Sequence, residues 1–579
     1  MASILGTLVA FGILFVMFFV FTLLIDSSDN GVVVKKNSVL KLGFTKPVKD
    51  YMGRDDSSPF AGFREKGVGL DEILHAINEA SMDENIKGIS LTTSFLQAGL
   101  AQTQEMRKAL LDFKVSGKFI FAHSDFFTQK DYYLASVANQ VYLNPVGAMD
   151  FKGLASEVLY FKDLQEKSGV KMEVIRHGKY KSAVEPYLSD TMSDENRTQI
   201  RELISSLWNT MVNDISNSRN INQADLNIIA DTLGARTPEY AVTSGLIDDL
   251  LFHDEYEEVL KTELGLEEDD VPNYVNFFDY VDKVKYRNLP TGRDKVAVIY
   301  AQGEILYGEG DREFIGQGLI NRSLQRAVDD DNVKAIVLRV DSPGGSALVS
   351  DIIWREVEVS KRSKPVVVSF GNVAASGGYY IGAGADKIFA EPTSITGSIG
   401  VFGTIPNVNE LADKVGINAE QVGTNQNSID YSLFEPMTDG FRDVLREGIE
   451  DTYNTFLQRV ASGREMTVEE VDSVAQGRVW SGAEAHKLGL VDELGSLEDA
   501  IDAAAQLADL EFYGIRKYPR YKSSFEKFME EINDAKTKIG SAVIEEEIGS
   551  EAYSILKEFK QFSEKRGIQA KMPFSLNIK

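Results

Sequence analysis

The 579-residue chain contains no cysteine. That excludes disulfides, a thiolate nucleophile and any cysteine-based metal site, and it leaves the redox compartment open. Histidine is scarce at five residues, so few side chains are available as the usual imidazole base. Basic residues are also in deficit, with 61 Lys and Arg against 88 Asp and Glu and a net charge of -27. A surface of that sign repels nucleic acid and anionic lipid headgroups, which argues against a polyanion-binding role and for no nucleic-acid partner.

The remaining composition, 43% hydrophobic and 26% charged, is that of a globular protein. Its length exceeds one core and suggests about three or four domains. Residues 2–25 (ASILGTLVAFGILFVMFFVFTLLI) carry no charge, and as a helix they would extend ~36 Å, enough to cross a bilayer. The expectation is a transmembrane anchor over residues 1–26, because Asp26-Ser27-Ser28-Asp29 does not read as a cleavage site. No Lys or Arg precedes the segment, whereas Lys35 and Lys36 follow it. Taken alone, the positive-inside rule would place the bulk of the chain in the cytoplasm.

The chain reads as two copies of one unit. Asp83-Glu84-Asn85-Ile86-Lys87-Gly88-Ile89 matches Asp330-Asp331-Asn332-Val333-Lys334-Ala335-Ile336, and Tyr132-Tyr133 matches Tyr379-Tyr380. Further on, Met192-Ser193-Asp194 pairs with Met437-Thr438-Asp439, and Gly245-Leu246-Ile247-Asp248 with Gly489-Leu490-Val491-Asp492. Each copy alternates β-branched strands, as at 296–300, 335–340 and 365–370, with helices near 319–328, 348–361 and 377–385. Such alternation predicts an α/β fold of parallel strands joined by crossovers. The expected units are 32–282 and 293–510, with a Lys/Glu-rich helical extension at 511–579 that carries Phe525, Phe528, Phe559 and Phe562.

The copies differ where chemistry is to be expected. In Val366 to Asp386 an apolar run leads through a Gly/Ala-rich turn to Ser376, and Gly377-Gly378 then open a helix. This arrangement either presents a nucleophile beside a backbone oxyanion donor or uses the serine as a helix cap. The first copy has Gln129-Lys130-Asp131 at that place, and its Thr93-Ser94-Phe95-Leu96 lacks the glycines of Asp341-Ser342-Pro343-Gly344-Gly345-Ser346. For a base, His75, His253 and His486 read as surface or packing residues, while His123 and His177 stay possible. The stronger candidate is Lys181, opposite Gln426 of the second copy, with Lys179 as its competitor. A lysine base must be largely neutral, which requires burial, and Tyr180, Ala183 and Val184 are the expected dry wall.

Tyr180-Lys181-Ser182-Ala183-Val184-Glu185-Pro186, Asp341-Ser342-Pro343-Gly344-Gly345, Ala374-Ala375-Ser376-Gly377-Gly378-Tyr379 and Thr396-Gly397-Ser398-Ile399-Gly400 together resemble the long, duplicated form of the signal peptide peptidase A (protease IV) family. The resemblance implies a tandem Clp protease/crotonase-like fold with a Ser/Lys dyad, Ser376 as nucleophile and Lys181 as base. It further implies that the Gly377 and Gly345 amides stabilise the oxyanion and that Ser398 orients the lysine. No metal or cofactor enters the reading. The family's setting implies a homotetramer anchored in the bacterial inner membrane, degrading remnant signal peptides and other unfolded apolar peptides on the periplasmic side. Two alternatives stand beside it: a crotonase-type acyl-CoA enzyme, which also uses paired amides around an oxyanion, and a non-catalytic membrane scaffold.

Overall fold

The computed structural model describes residues 32–521, apart from 45, 54–66, 94, 268, 426 and 430, together with Met17 and residues 569–572. Apart from Met17, the expected anchor lies outside the described residues, as do Gln426 and the four phenylalanines of the extension. Among the described residues no helix is long and apolar enough to cross a membrane.

In the first unit, Ser38–Leu42 (β1), Ile86–Leu91 (β2), Phe119–Phe127 (β3) and Gln140–Met149 (β4) form a parallel sheet in the order β4-β3-β2-β1. Lys171–His177 (β5) departs from it, and Asp249–Leu250 (β6) and Asn273–Asn276 (β7) add its parallel edges. The second unit repeats the plan. Its strands are Lys295–Gln302 (β8), Glu304–Ile305 (β9), Phe314–Ile315 (β10), Val333–Ser342 (β11), Gly344–Ser346 (β12), Val366–Ala375 (β13), Lys387–Ala390 (β14), Ile395–Gly397 (β15), Val401–Asn407 (β16), Val479–Ser481 (β17), Glu493–Leu494 (β18) and Gly514–Tyr518 (β19). Here the parallel order β14-β13-β11-β8-β19 mirrors β4-β3-β2-β1-β7. Helices cover both faces, which is why β8, β11 and β13 are almost continuous apolar runs and not alternating ones.

The residues that recur between the copies do so because they make the same bonds. Tyr132 Oη donates to the Leu246 carbonyl at 2.8 Å, and Tyr379 Oη to the Leu490 carbonyl at 2.9 Å. Asp248 accepts from the Val141 amide and Asp492 from the Ile388 amide, both at 2.7 Å. Each unit also carries a 26-residue helix, Asp194–Arg219 and Asp439–Arg464, capped by Ser193 and Thr438.

Two expectations change. The segment from 511 does not begin as a helix, because β19 pairs with β8 as β7 pairs with β1, so the second sheet extends to Tyr518. In addition, β13 does not stop at Phe370 before a turn. It runs on to Ala375, since Val373, Ala374 and Ala375 pair with Ile395, Thr396 and Gly397 of β15.

The units are docked by a buried ionic network beneath β13. Arg339, 1% exposed, donates from Nε to Asp50 Oδ2 at 2.6 Å and from an Nη to Glu105 Oε1 at 2.5 Å, both acceptors being buried residues of the first unit. Gln102 donates to the other Asp50 oxygen at 2.8 Å, and its amide donates to Asn372 Oδ1 of β13 at 3.1 Å. Burial raises the Glu105 carboxyl above its usual pKa, an effect that the nearby Arg339 charge opposes. A cavity of about 1070 Å³ lies beyond this network, lined by Tyr51, Glu72, His75 and Glu105, and it does not include Ser376 or Lys181. Replacing Arg339 by methionine leaves buried carboxylates without their counter-charge, and a loss of about 3–5 kcal/mol is expected in urea unfolding. Arg339→Met combined with Glu105→Gln should lose less.

Candidate active site

Ser376 stands where β13 ends and the helix Gly377–Gly382 begins. Its backbone adopts φ 56 and ψ -115, a conformation that a residue bearing a Cβ rarely takes. The surroundings hold it there. Its amide donates to the Gly397 carbonyl at 2.8 Å, and its own carbonyl accepts from the Tyr380 amide at 2.8 Å. The side chain makes no helix-capping hydrogen bond, so the strained turn serves to aim the hydroxyl and not to cap the helix.

Lys181 approaches from the first unit. β5 pairs antiparallel with β16 of the second unit, from Val401 opposite His177 to Asn407 opposite Lys171, and this carries the chain across to Ser376. Lys181 Nζ lies 2.8 Å from Ser376 Oγ, 2.9 Å from Ser398 Oγ and 2.9 Å from the Ser398 carbonyl oxygen. The lysine is fully buried, and burial alone holds its amine well below the usual lysine pKa.

The dry wall is not the one expected from neighbouring residues. Val184 is buried, but Tyr180 is only partly so and stacks beneath the Arg478 guanidinium. The second unit supplies the closest packing. A Cβ on Gly477 would fall 2.6 Å from the Lys181 Cβ and one on Gly400 3.2 Å from its Cδ, while the Phe402 ring centre is 6.0 Å from Nζ. Gly477 also has φ +80, so a side chain there is excluded by conformation as well as by space.

Geometry separates Lys181 from its competitors. Lys179 is exposed, its ammonium over the Tyr180 ring at 5.2 Å. His177 stacks on Tyr453 at 4.1 Å, and His123 bonds to the Leu251 carbonyl and stacks on Tyr256. His75 bonds to the Val284 carbonyl and His486 to the Val491 carbonyl, while the exposed His253 ring lies 3.7 Å from Glu257 on the same helix. Gly377 and Gly345 lie together, the Gly345 amide nitrogen being 3.2 Å from where a Gly377 Cβ would stand. All five sequence-nominated residues, Ser376, Lys181, Ser398, Gly377 and Gly345, therefore meet at one place.

Sequence comparison missed the groups that hold Lys181. Glu185, in the same short segment, accepts from Asn196 Nδ2 at 2.6 Å and from the Ser193 amide at 2.8 Å. Gln199 donates to Ser182 Oγ at 2.7 Å and to the Tyr180 carbonyl at 3.0 Å, bracketing the lysine on both sides. The signal was available in the repeat, since the corresponding positions after the Thr438 cap are Phe441 and Val444, which cannot make these bonds. Also missed was the fate of the first unit's own turn. Asp131 accepts from the Phe95 and Leu96 amides, each at 2.9 Å, so a carboxylate already fills that unit's amide-lined turn.

Known proteins match this chain over most of its length. The model of Peptidase family S49 matches residues 113–267 and 358–511, one stretch in each unit. Protease 4 of Haemophilus influenzae is 38% identical over 455 residues, covering 76% of this chain and 73% of that protein. Protease 4 of Salmonella typhi is 37% identical, with coverage of 78% and 74%, and the chloroplastic serine protease SPPA of Arabidopsis thaliana is 31% identical, with 82% and 70%. Among solved structures, a mutant ClpP1 from Listeria monocytogenes matches 35% of this chain and 94% of its own at 15% identity, with a TM-score of 0.25. The family match and the named relatives set aside the acyl-CoA and scaffold alternatives. With two matched stretches covering over half its length and relatives aligned along most of theirs, the chain belongs to peptidase family S49 and is a serine peptidase.

Proposed function

We propose that Ser376 and Lys181 form a Ser/Lys dyad that hydrolyses extended apolar peptides, remnant signal peptides among them. The observation that carries this reading is the 2.8 Å contact between a fully buried lysine amine and a serine hydroxyl 195 residues away. A neutral amine has two N–H donors and one lone pair, and the three contacts of Nζ use them all. The N–H groups donate to the Ser398 carbonyl and Ser398 Oγ, and the lone pair is left to accept the Ser376 proton.

The chemistry follows from that arrangement. Ser376 Oγ attacks the peptide carbonyl while Lys181 takes its proton, and the Gly377 and Gly345 amides face the oxygen that becomes negative. The protonated lysine then gives the proton to the leaving amine. Water, deprotonated by the same lysine, opens the acyl-enzyme and frees Ser376. Loss of one oxyanion donor costs about two to three decades in turnover. Membrane anchoring through residues 1–26, a periplasmic active site and a homotetrameric assembly belong to this reading and are proposed with it.

Two outcomes test it. Ser376→Ala and Lys181→Ala should each abolish hydrolysis of an apolar peptide while leaving far-UV circular dichroism unchanged; near-normal activity in either removes that residue from the mechanism. The second concerns stability. A lysine whose folded pKa lies below its unfolded value of ~10.4 binds fewer protons folded than unfolded in the interval between them, so wild-type stability rises with pH there. Relative to Lys181→Met, the wild type should gain about 1.4 kcal/mol per pH unit in that window, measured by urea unfolding. A pH-independent difference would mean that the lysine titrates normally.

A further inference from the structure

The second unit presses one strained turn against the stem of Lys181. The helix Val468–Val474 ends there, and Gln476 and Gly477 follow with φ 54 and 80, the first a conformation that a residue bearing a side chain rarely takes. Main-chain bonds tie this turn to both halves of the site. The Tyr180 amide donates to the Gln476 carbonyl at 2.9 Å, the Gly477 amide to the Ile399 carbonyl at 2.8 Å, and the Ser398 amide to the Arg478 carbonyl at 2.6 Å. The approach is close, since a Cβ on Gly178 would fall 2.6 Å from the Gln476 carbonyl carbon. Two side chains behind the turn hold its shape. Tyr453, 2% exposed, donates from Oη to Asp472 Oδ1 at 2.5 Å and accepts the Gln476 amide at 3.2 Å. Gln476 Nε2 donates to the same Asp472 oxygen at 2.6 Å, so both the backbone and the side chain of Gln476 are anchored. The Tyr453 ring also stacks on His177 of β5, the strand that delivers Lys181.

The first unit supplies a control. Its counterpart of Tyr453 is Trp208, since Asn209-Thr210 matches Asn454-Thr455, and its counterpart of Asp472 is Asn227, at the same place after the helix cap. Trp208 Nε1 donates to Asn227 Oδ1 at 2.8 Å, so the bond between the two helices persists. An indole N–H has no lone pair to offer a backbone amide, whereas a phenol oxygen has. The first unit's helix runs on to Asp231, while the second unit's stops at Val474 and turns. Packing of the two helices alone is thus served without the hydroxyl. The acceptor occurs in the unit that closes on the base.

We infer that Tyr453 and Asp472 are positioning residues for the peptidase reaction: by fixing the turn at Gln476 and Gly477 they keep water away from the Lys181 amine. The inference rests on the proposed dyad. The other ionisable groups packed around the turn have partners of their own. Arg176 donates from Nη1 to the Lys181 carbonyl at 3.3 Å, Lys179 lies over the Tyr180 ring, and Arg478 lies over the same ring and pairs with Glu202. Burial alone lowers the Lys181 amine, so a turn that opens raises the proton affinity of the base without removing it.

The test is the pH dependence of kcat/KM for hydrolysis of a fluorogenic apolar peptide by the full chain, with far-UV circular dichroism as the check on folding. Wild type should rise along one ionisation below ~10.4. Tyr453→Phe keeps the ring on His177, and Asp472→Ala removes the shared acceptor. Each should move that ionisation up by at least about one pH unit, a loss of about tenfold on the rising limb, with rates converging on wild type at high pH. Asp472→Asn offers Tyr453 the acceptor that Asn227 offers Trp208 and should keep the wild-type profile. A folded Tyr453→Phe or Asp472→Ala whose ionisation is unmoved, whether its rates match wild type or are lower at every pH, overturns the inference and leaves the dyad standing. A shift in Asp472→Asn as large as in Asp472→Ala assigns the effect to lost charge and overturns it too. Wild type whose rate does not rise with pH overturns the dyad and the inference together. Should one variant fail to fold, the other decides by the same shift.

Discussion

The active centre depends on keeping one amine dry. Among the described residues Lys181 Nζ has no carboxylate partner and meets Ser376 Oγ and the hydroxyl and carbonyl of Ser398. Burial without a counter-charge is ordinarily avoided because it disfavours the ammonium form. Here that penalty supplies the function, since it yields a neutral base below the pH at which a solvated lysine would deprotonate. The surrounding construction serves this end. Glycines at 400 and 477 let the second unit close on the lysine stem, and the Glu185, Asn196 and Gln199 bonds fix the backbone on either side of it.

Such a site requires two units held in fixed relation, because nucleophile and base come from different copies. The β5–β16 pairing sets the lysine's reach, and Arg339 with Asp50 and Glu105 ties the first unit to the strand that ends at Ser376. The ionic contact is buried, the strand pairing only partly so, and neither is symmetric between the copies. Duplication has thus been followed by division of labour. The second unit keeps the strained serine and the open glycine turn. The first keeps the lysine, and its own amide-lined turn is closed by Asp131.

Much of this was legible in the sequence because duplication provides an internal control. The reciprocal differences at Ser376 against Gln129 and at Lys181 against Gln426 marked the site residues, and the alternating pattern gave the α/β class. What escaped notice had weak local signals. β19 (Gly-Ile-Arg-Lys-Tyr) is a short edge strand with charged residues, recognisable only as the counterpart of β7. The strand Gln569–Lys571 is held by main-chain pairing to β12, so little in its own side chains announces where it goes. Asp131 looked like part of a lost site, whereas its bonds to the Phe95 and Leu96 amides depend on a turn that only the folded chain brings near.

The central claim, that a buried neutral lysine activates Ser376, is tested most directly by the pH dependence of Ser376 acylation with a serine-directed phosphonylating probe, identified by peptide mass mapping. Because the lysine must lose its proton before it can accept one from the serine, the rate should rise with pH along a single ionisation well below ~10.4 and then level off. Lys181→Ala should lose that ionisation together with the labelling. Labelling of Ser376 that is equally fast in Lys181→Ala, or that shows no rise with pH, would contradict the account.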